Sequence, residues 1–208
     1  MIINESESKL AKFFDTFRES DHEVPSPQER VKADEGQPIG KPLYHIKLNN
    51  TTFYALDTLR NHDQDFANYF MITKYDNPHQ LAELMAPAFI NYFDTYKQGH
   101  IDIITTAQRA VRNLKHTHPM DIVAMNVSKH IGVDYEPLFE PWNKKYRGFH
   151  YRDTTLILEP NSNFVKYKKK IVFILDDVKT SGHTMTQALH LCYDNNIHAH
   201  GLVYIVWS

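Results

Sequence analysis

The chain reads as an α/β protein built on a central parallel sheet with helices on both faces. Three observations predict this. From Ile101 onward, short β-branched or apolar runs alternate with stretches of helical period, the order that produces parallel strands joined by crossover helices. The run Ile171-Val172-Phe173-Ile174-Leu175 is apolar at every position and too short for a helix, which is how a strand buried on both faces reads. The composition, 42% hydrophobic and 23% charged over 208 residues, is enough for the core of one domain, or of one domain with an appendage.

Each element has a local reason. Leu10, Phe13, Phe14 and Phe17 recur at helical spacing, so residues 6–19 are expected to form an amphipathic helix. Residues 19–41 are polar, rich in proline and without an apolar period, as in a linker. Leu43 to Leu48 and Thr51 to Leu56 flank Asn49-Asn50 and predict a β-hairpin. A further apolar segment runs from Phe66 to Tyr75. Asn77, Pro78 and Gln80 then mark a helix start with a capping box, and Leu81, Leu84, Met85, Ala88, Phe89 and Tyr92 form its apolar stripe. Ile101 to Ile104 predicts a strand ending at Thr105-Thr106, and Pro119 to Ile131 a helix closed by Gly132. Tyr135–Phe139, Thr155–Leu158 and Phe164–Tyr167 read as strand-like pieces. Met185, Ala188, Leu189 and Cys192 mark one face of a late helix, and Leu202 to Trp207 is the final strand.

Composition excludes several classes. A formal net charge of -2 provides no general attraction for nucleic acid or membrane. The one cysteine, Cys192, rules out a disulfide framework and a cysteine-based zinc site. No apolar run approaches spanning length and no signal-like segment is evident, so the chain is expected to be cytoplasmic. His116 and His118, like His198 and His200, have a spacing that would suit a metal on a strand, but solvated loop histidines explain them more simply.

The most informative stretch is Val172 to Thr184, VFILDDVKTSGHT. Asp176 and Asp177 follow the apolar run, where open α/β sheets bind ligands. Thr180, Ser181, Gly182, His183 and Thr184 offer hydroxyls and backbone N–H groups at a helix start, a setting suited to phosphate. Two acids beside an anion nest suit a ligand carrying both sugar hydroxyls and a phosphate.

This segment resembles the phosphoribosyl-pyrophosphate (PRPP) motif of the type I phosphoribosyltransferases: four hydrophobic residues, two acids, a hydrophobic and a variable residue, then Thr-Ser/Thr-Gly-x-Thr/Ser. Phe70 to Phe93 is in addition similar to the start of the ComF-type competence-associated members, in which a Lys and an aromatic residue precede a long helix. The ComF zinc module cannot exist here without its cysteines, and the first strand ends in Thr105-Thr106-Ala107-Gln108-Arg109 rather than in a Pro-containing loop. The resemblance implies a type I phosphoribosyltransferase-like sheet over residues 61–208, with residues 1–60 (helix, polar linker and hairpin) as a variable hood or appendage.

The resemblance also implies the chemistry. Asp176 and Asp177 would hold the ribose hydroxyls and organise Mg²⁺, which favours hard oxygen ligands. Thr180 to Thr184 would hold the 5-phosphate, with Lys179 at the variable position. Thr105 and Thr106, with Gln108 and Arg109, would meet pyrophosphate. Lys144, Lys145, Arg147 and Arg152, in a basic aromatic stretch with Gly148 as a hinge, would form a loop closing over it. PRPP is the implied partner, the acceptor stays open, and a homodimer is compatible with the class. Two other functions remain: a PRPP- or nucleotide-binding regulator without turnover, and a nucleic-acid-associated accessory protein in competence or defence. The second would use the aromatics and cations of residues 140–153 on single strands, which the near-neutral chain disfavours.

Overall fold

The computed structural model describes residues 43–48, 50–58, 62, 64–96, 100–107, 117–140, 158–179 and 182–206. The helix expected over 6–19, the linker 19–41 and the basic stretch 143–152 lie outside them. The elements are β1 (Tyr44–Leu48), β2 (Thr51–Thr58), α1 (Gln64–Asp76), α2 (Pro78–Tyr96), β3 (Ile103–Thr106), α3 (Pro119–Ile131), β4 (Asp134–Tyr135), β5 (Ile171–Lys179), α4 (His183–Asp194) and β6 (His198–Val206). They build one six-stranded sheet in the order β1-β2-β6-β5-β3-β4. Every neighbouring pair is parallel except β1 with β2. The expected α/β architecture is therefore present.

The hairpin is part of that sheet. Leu48 pairs with Thr51, so the turn is two residues long, and Asn50 takes the left-handed conformation (φ 62°) that asparagine tolerates. β2 then joins β6 in parallel.

The sheet is covered on both sides, which is why β5 is apolar on both faces. Phe173 and Leu175 pack into a cluster with Phe70 of α1, Leu81, Met85, Phe89 and Phe93 of α2, and Met120, Val123 and Val127 of α3. Val172 and Ile174 pack into a second cluster with Met185, Ala188, Leu189 and Cys192 of α4, plus Phe53, Leu138 and Phe164. Among the described residues no helix is long and apolar enough to cross a membrane.

Four expectations are corrected. The buried stripe of α2 is Leu81, Ala82, Met85, Ala86, Phe89 and Phe93, while Leu84 is exposed. Its small alanines lie inward, where α2 meets α3 and the sheet. Asn77 caps the helix through Oδ1, which accepts the Gln80 N–H at 3.2 Å, but the Gln80 side chain bonds the Asn77 amide rather than its backbone. Tyr135–Phe139 is not one strand. Pairing stops after Tyr135, since Pro137 has no N–H to give, and resumes only as a single bridge from Phe139 to Pro160. Phe164–Tyr167 is a 3₁₀ turn, not a strand. The Asn161 side chain accepts the Asn163 N–H and the Asn163 carbonyl accepts the Lys166 N–H, so local asparagine bonds override the β-prone composition.

Candidate functional site

The two acids lie inside β5, not beyond its end. Pairing with β3 stops at Thr106 and Leu175, whereas pairing with β6 continues to Lys179 and Val206. Asp176 and Asp177 thus sit where β5 outruns one neighbour at the carboxyl edge of a parallel sheet, the setting in which such sheets bind ligands.

Strand alternation turns the two carboxylates to opposite faces. Asp177 is buried, and its Oδ1 accepts the Val178 N–H at 2.7 Å. Its Oδ2 is ion-paired with the Lys74 ammonium of α1. Asp176 is half-buried, and its Oδ1 accepts the Asp177 N–H at 2.9 Å. The environments separate the two acids. Burial, then the Asp177 charge, raise the Asp176 carboxyl to about 7 against the weaker pull of Lys74. Burial also pulls Asp177 upward, but Lys74, His118 and the Val178 N–H outweigh it and hold this carboxyl below its usual range. The pair has too little positive charge around it for both carboxylates to ionise readily.

Gly182 follows with φ 77°, a left-handed conformation natural to glycine, and caps α4. Its carbonyl accepts the Thr186 N–H at 3.0 Å, so helical bonding starts there. Behind it, α4 runs for 12 residues, and its amino terminus is the positive end of the helix dipole. His183 is exposed and Thr184 half-buried at this end. The backbone of Lys179 belongs to β5, and Thr180 and Ser181 lie outside the described residues.

Thr105 and Thr106 end β3 beside β5, but both are buried. The Thr105 hydroxyl accepts the Leu138 N–H at 3.1 Å. The Thr106 hydroxyl donates to Asp121 Oδ1 at 3.2 Å, and the Tyr135 hydroxyl donates to the same oxygen at 2.7 Å. These side chains tie β3 to α3 and to residues 135–138. Gln108, Arg109, Lys144, Lys145, Arg147 and Arg152 fall outside the described residues. The chain on either side of 141–157 is nevertheless clamped. The Glu140 N–H bonds the Glu159 carbonyl at 2.8 Å, the Asn161 N–H bonds the Leu138 carbonyl at 2.9 Å, and Glu136 takes bonds from Asn163 and Tyr167.

Lys74 falls in the ComF-like segment, but the sequence assigned it no place in the site. Its signal was a lysine at the same helical spacing as Phe66 and Phe70, a cation on an apolar face. His118, whose Nδ1 accepts the Met120 N–H at the start of α3, was likewise read as a loop histidine. Among the described residues no group of three metal-ligating side chains gathers. A shallow depression lined by His100, Asp102, Gly132 and Asp134 lies at the opposite, amino-terminal edge of the sheet. There the Ile171 N–H, followed by Lys170 and His100, holds the Asp102 carboxyl down at about 2.

No protein-family model matches the chain, and no curated protein matches its sequence. Among solved structures, it is similar to adenine phosphoribosyltransferase from Saccharomyces cerevisiae, at 17% identity over 80% of this chain and 83% of that one, with a TM-score of 0.42. The adenine phosphoribosyltransferase of Leishmania tarentolae matches at 10% identity over 61% and 71% of the two chains, with a TM-score of 0.40. A hypoxanthine phosphoribosyltransferase from Staphylococcus aureus matches at 15% identity over 62% and 61%, with a TM-score of 0.33. What the site can do follows from this chain's own residues.

Proposed function

We propose that the chain is a type I phosphoribosyltransferase, moving the phosphoribosyl group of PRPP to an acceptor and releasing pyrophosphate. One observation carries this: adjacent carboxylates and a glycine-capped helix amino terminus follow one another on β5 and α4, at an edge where β3 has stopped pairing. Sugar hydroxyls and a phosphate on one ligand need that combination.

Asp176 presents the hard oxygen ligand that Mg²⁺ favours, and burial, then the Asp177 charge, keep its proton on to about pH 7 in the absence of a cation. Asp176, the half-buried acid, would organise the ion, directly or through water, while Asp177 faces the other way and is paired with Lys74. The ion's positive charge would offset the negative charge of the ligand phosphates. The remaining roles belong to the chain. The N–H groups of Gly182, His183 and Thr184, with Thr180 and Ser181, bind the 5-phosphate, and Lys179 stands beside them. Lys144, Lys145, Arg147 and Arg152 supply cations to the departing pyrophosphate. Lys74 balances Asp177, and its place in the ComF-like segment Phe70–Phe93 supports kinship with that subgroup.

Calorimetry tests the reading. Mg²⁺-PRPP should bind the full chain, and the Asp176→Asn, Asp177→Asn double variant should lose a few kcal/mol of that affinity, since hydrogen bonds to charged groups are worth about 1.5–3 kcal/mol each. Equal affinity with the fold intact would reject it. One observation favours a second reading, a PRPP-binding regulator without turnover: the Thr105 and Thr106 hydroxyls expected at pyrophosphate already bond within the protein. Pyrophosphate release in the presence of an acceptor separates the two.

A further inference from the structure

A second polar pair stands at the carboxyl edge of the sheet, two strands from the acids. Asp57, near the end of β2, is buried, and its Oδ1 accepts the Thr58 N–H at 2.8 Å. Its Oδ2 lies 3.0 Å from Nε2 of His62, just before α1. The His62 ring stacks on Phe66 with centroids 3.9 Å apart and planes 19° from parallel. A carboxylate on one edge and an aromatic ring on one face hold the imidazole in a single orientation. Since the carboxylate accepts, the neutral ring carries its proton on Nε2 and keeps the Nδ1 lone pair. This is the arrangement of a general base backed by an orienting acid.

Its position fits a role in the proposed transfer. Asp57 and Val178 both pair with Ile205 of β6, so the pair sits level with the carboxyl end of β5. At 4.8 Å between strands, β2 is about 10 Å from β5. Along α1, Phe66 under His62 and Lys74 on Asp177 are eight residues apart, about 12 Å. Of the expected pyrophosphate residues, Thr105 and Thr106 end β3, on the other side of β5. A nucleophile displacing pyrophosphate in line enters from the side away from the leaving group, which here is the side of β6 and β2.

We propose that His62, oriented by Asp57, is the general base that takes the proton from a nitrogen acceptor as it attacks the ribose. The inference rests on the phosphoribosyltransferase reading and specifies its acceptor as a neutral N–H nucleophile. The bond between the acceptor nitrogen and the anomeric carbon forms, and the bond from that carbon to the pyrophosphate oxygen breaks. The electron pair leaves on pyrophosphate, and the acceptor proton passes to His62 Nδ1. His62 is the catalytic residue and Asp57 the positioning residue.

The test uses the full chain with Mg²⁺-PRPP and, separately, adenine, hypoxanthine, guanine and uracil, with products read by mass spectrometry. At least one base should yield a phosphoribosyl product. With that base, His62→Ala should lower kcat by about 100-fold or more, the scale of general base catalysis, while PRPP affinity stays within about twofold of the parent. Added imidazole should restore activity to His62→Ala at least in part. Should that variant not fold, His62→Gln, which can still donate to Asp57, must show the same kcat loss. Near-parental turnover in the variant, or a loss that imidazole leaves untouched, overturns the proposal. So does binding of Mg²⁺-PRPP without product from any of the four bases, which would leave the PRPP site standing. Failure to bind Mg²⁺-PRPP removes both readings together.

Discussion

Replacing Asp176 with Asn should stabilise the metal-free protein above neutral pH and leave it nearly unchanged close to pH 4. In the fold, burial and the neighbouring Asp177 charge lift the Asp176 carboxyl from 3.8 to about 7. A carboxyl raised in this way keeps its proton in the native state after the unfolded chain has lost it. Its contribution to stability is full below the unfolded value, drains away as pH climbs through about 7, and is level thereafter. Asn stays neutral throughout, and its Oδ1 can still accept the Asp177 N–H held at 2.9 Å. The gap between variant and parent must therefore open between about pH 4 and pH 7. At about 1.4 kcal/mol per pKa unit, the shift sets a ceiling of about 4 kcal/mol. Solvent reaching the half-buried side chain lowers the expected gain to about 2 kcal/mol. Urea denaturation in EDTA, followed by circular dichroism near pH 4.5, 6 and 8, measures it. An equal difference at all three pH values, or a variant less stable at pH 8, refutes the assigned charge balance.

Two further outcomes follow from the packing. Lys74→Met leaves the buried Asp177 carboxylate without its ammonium; denaturation at pH 8 should show a loss of about 3–5 kcal/mol. The loss should shrink near pH 5, where Asp177 is free to take up a proton; a loss below about 1 kcal/mol at pH 8 would mean the pair behaves like a surface ion pair. Gly201→Ala places a Cβ 2.6 Å from Met185 Sδ and 2.9 Å from Phe53 Cβ. The methionine can yield but the Phe53 Cβ cannot, so a loss of about 1–3 kcal/mol is expected, and an unchanged melting temperature would contradict the close contact of α4, β6 and β2.

Much of the fold was legible because local chemistry and tertiary context agreed. The two-residue turn at Asn49-Asn50, the asparagine cap before Pro78, the helix ended by Gly132 and the doubly apolar β5 each have a cause within a few residues. Where several weak preferences competed, tertiary contacts won: helix-to-helix packing turned the α2 stripe toward Ala82 and Ala86, and asparagine bonds folded 164–167 into a turn. The sequence by itself determined which segment carries paired acids and a hydroxyl-rich helix start with one glycine, because that motif is contiguous. Only the tertiary structure decided what stands against it. Lys74 reaches Asp177 across 103 residues of chain, Thr106 and Tyr135 meet on Asp121, and Asp57 with His62 comes level with β5 through β6. Strand order and helix packing set those meetings. They depend on long-range burial, for which linear spacing holds no record.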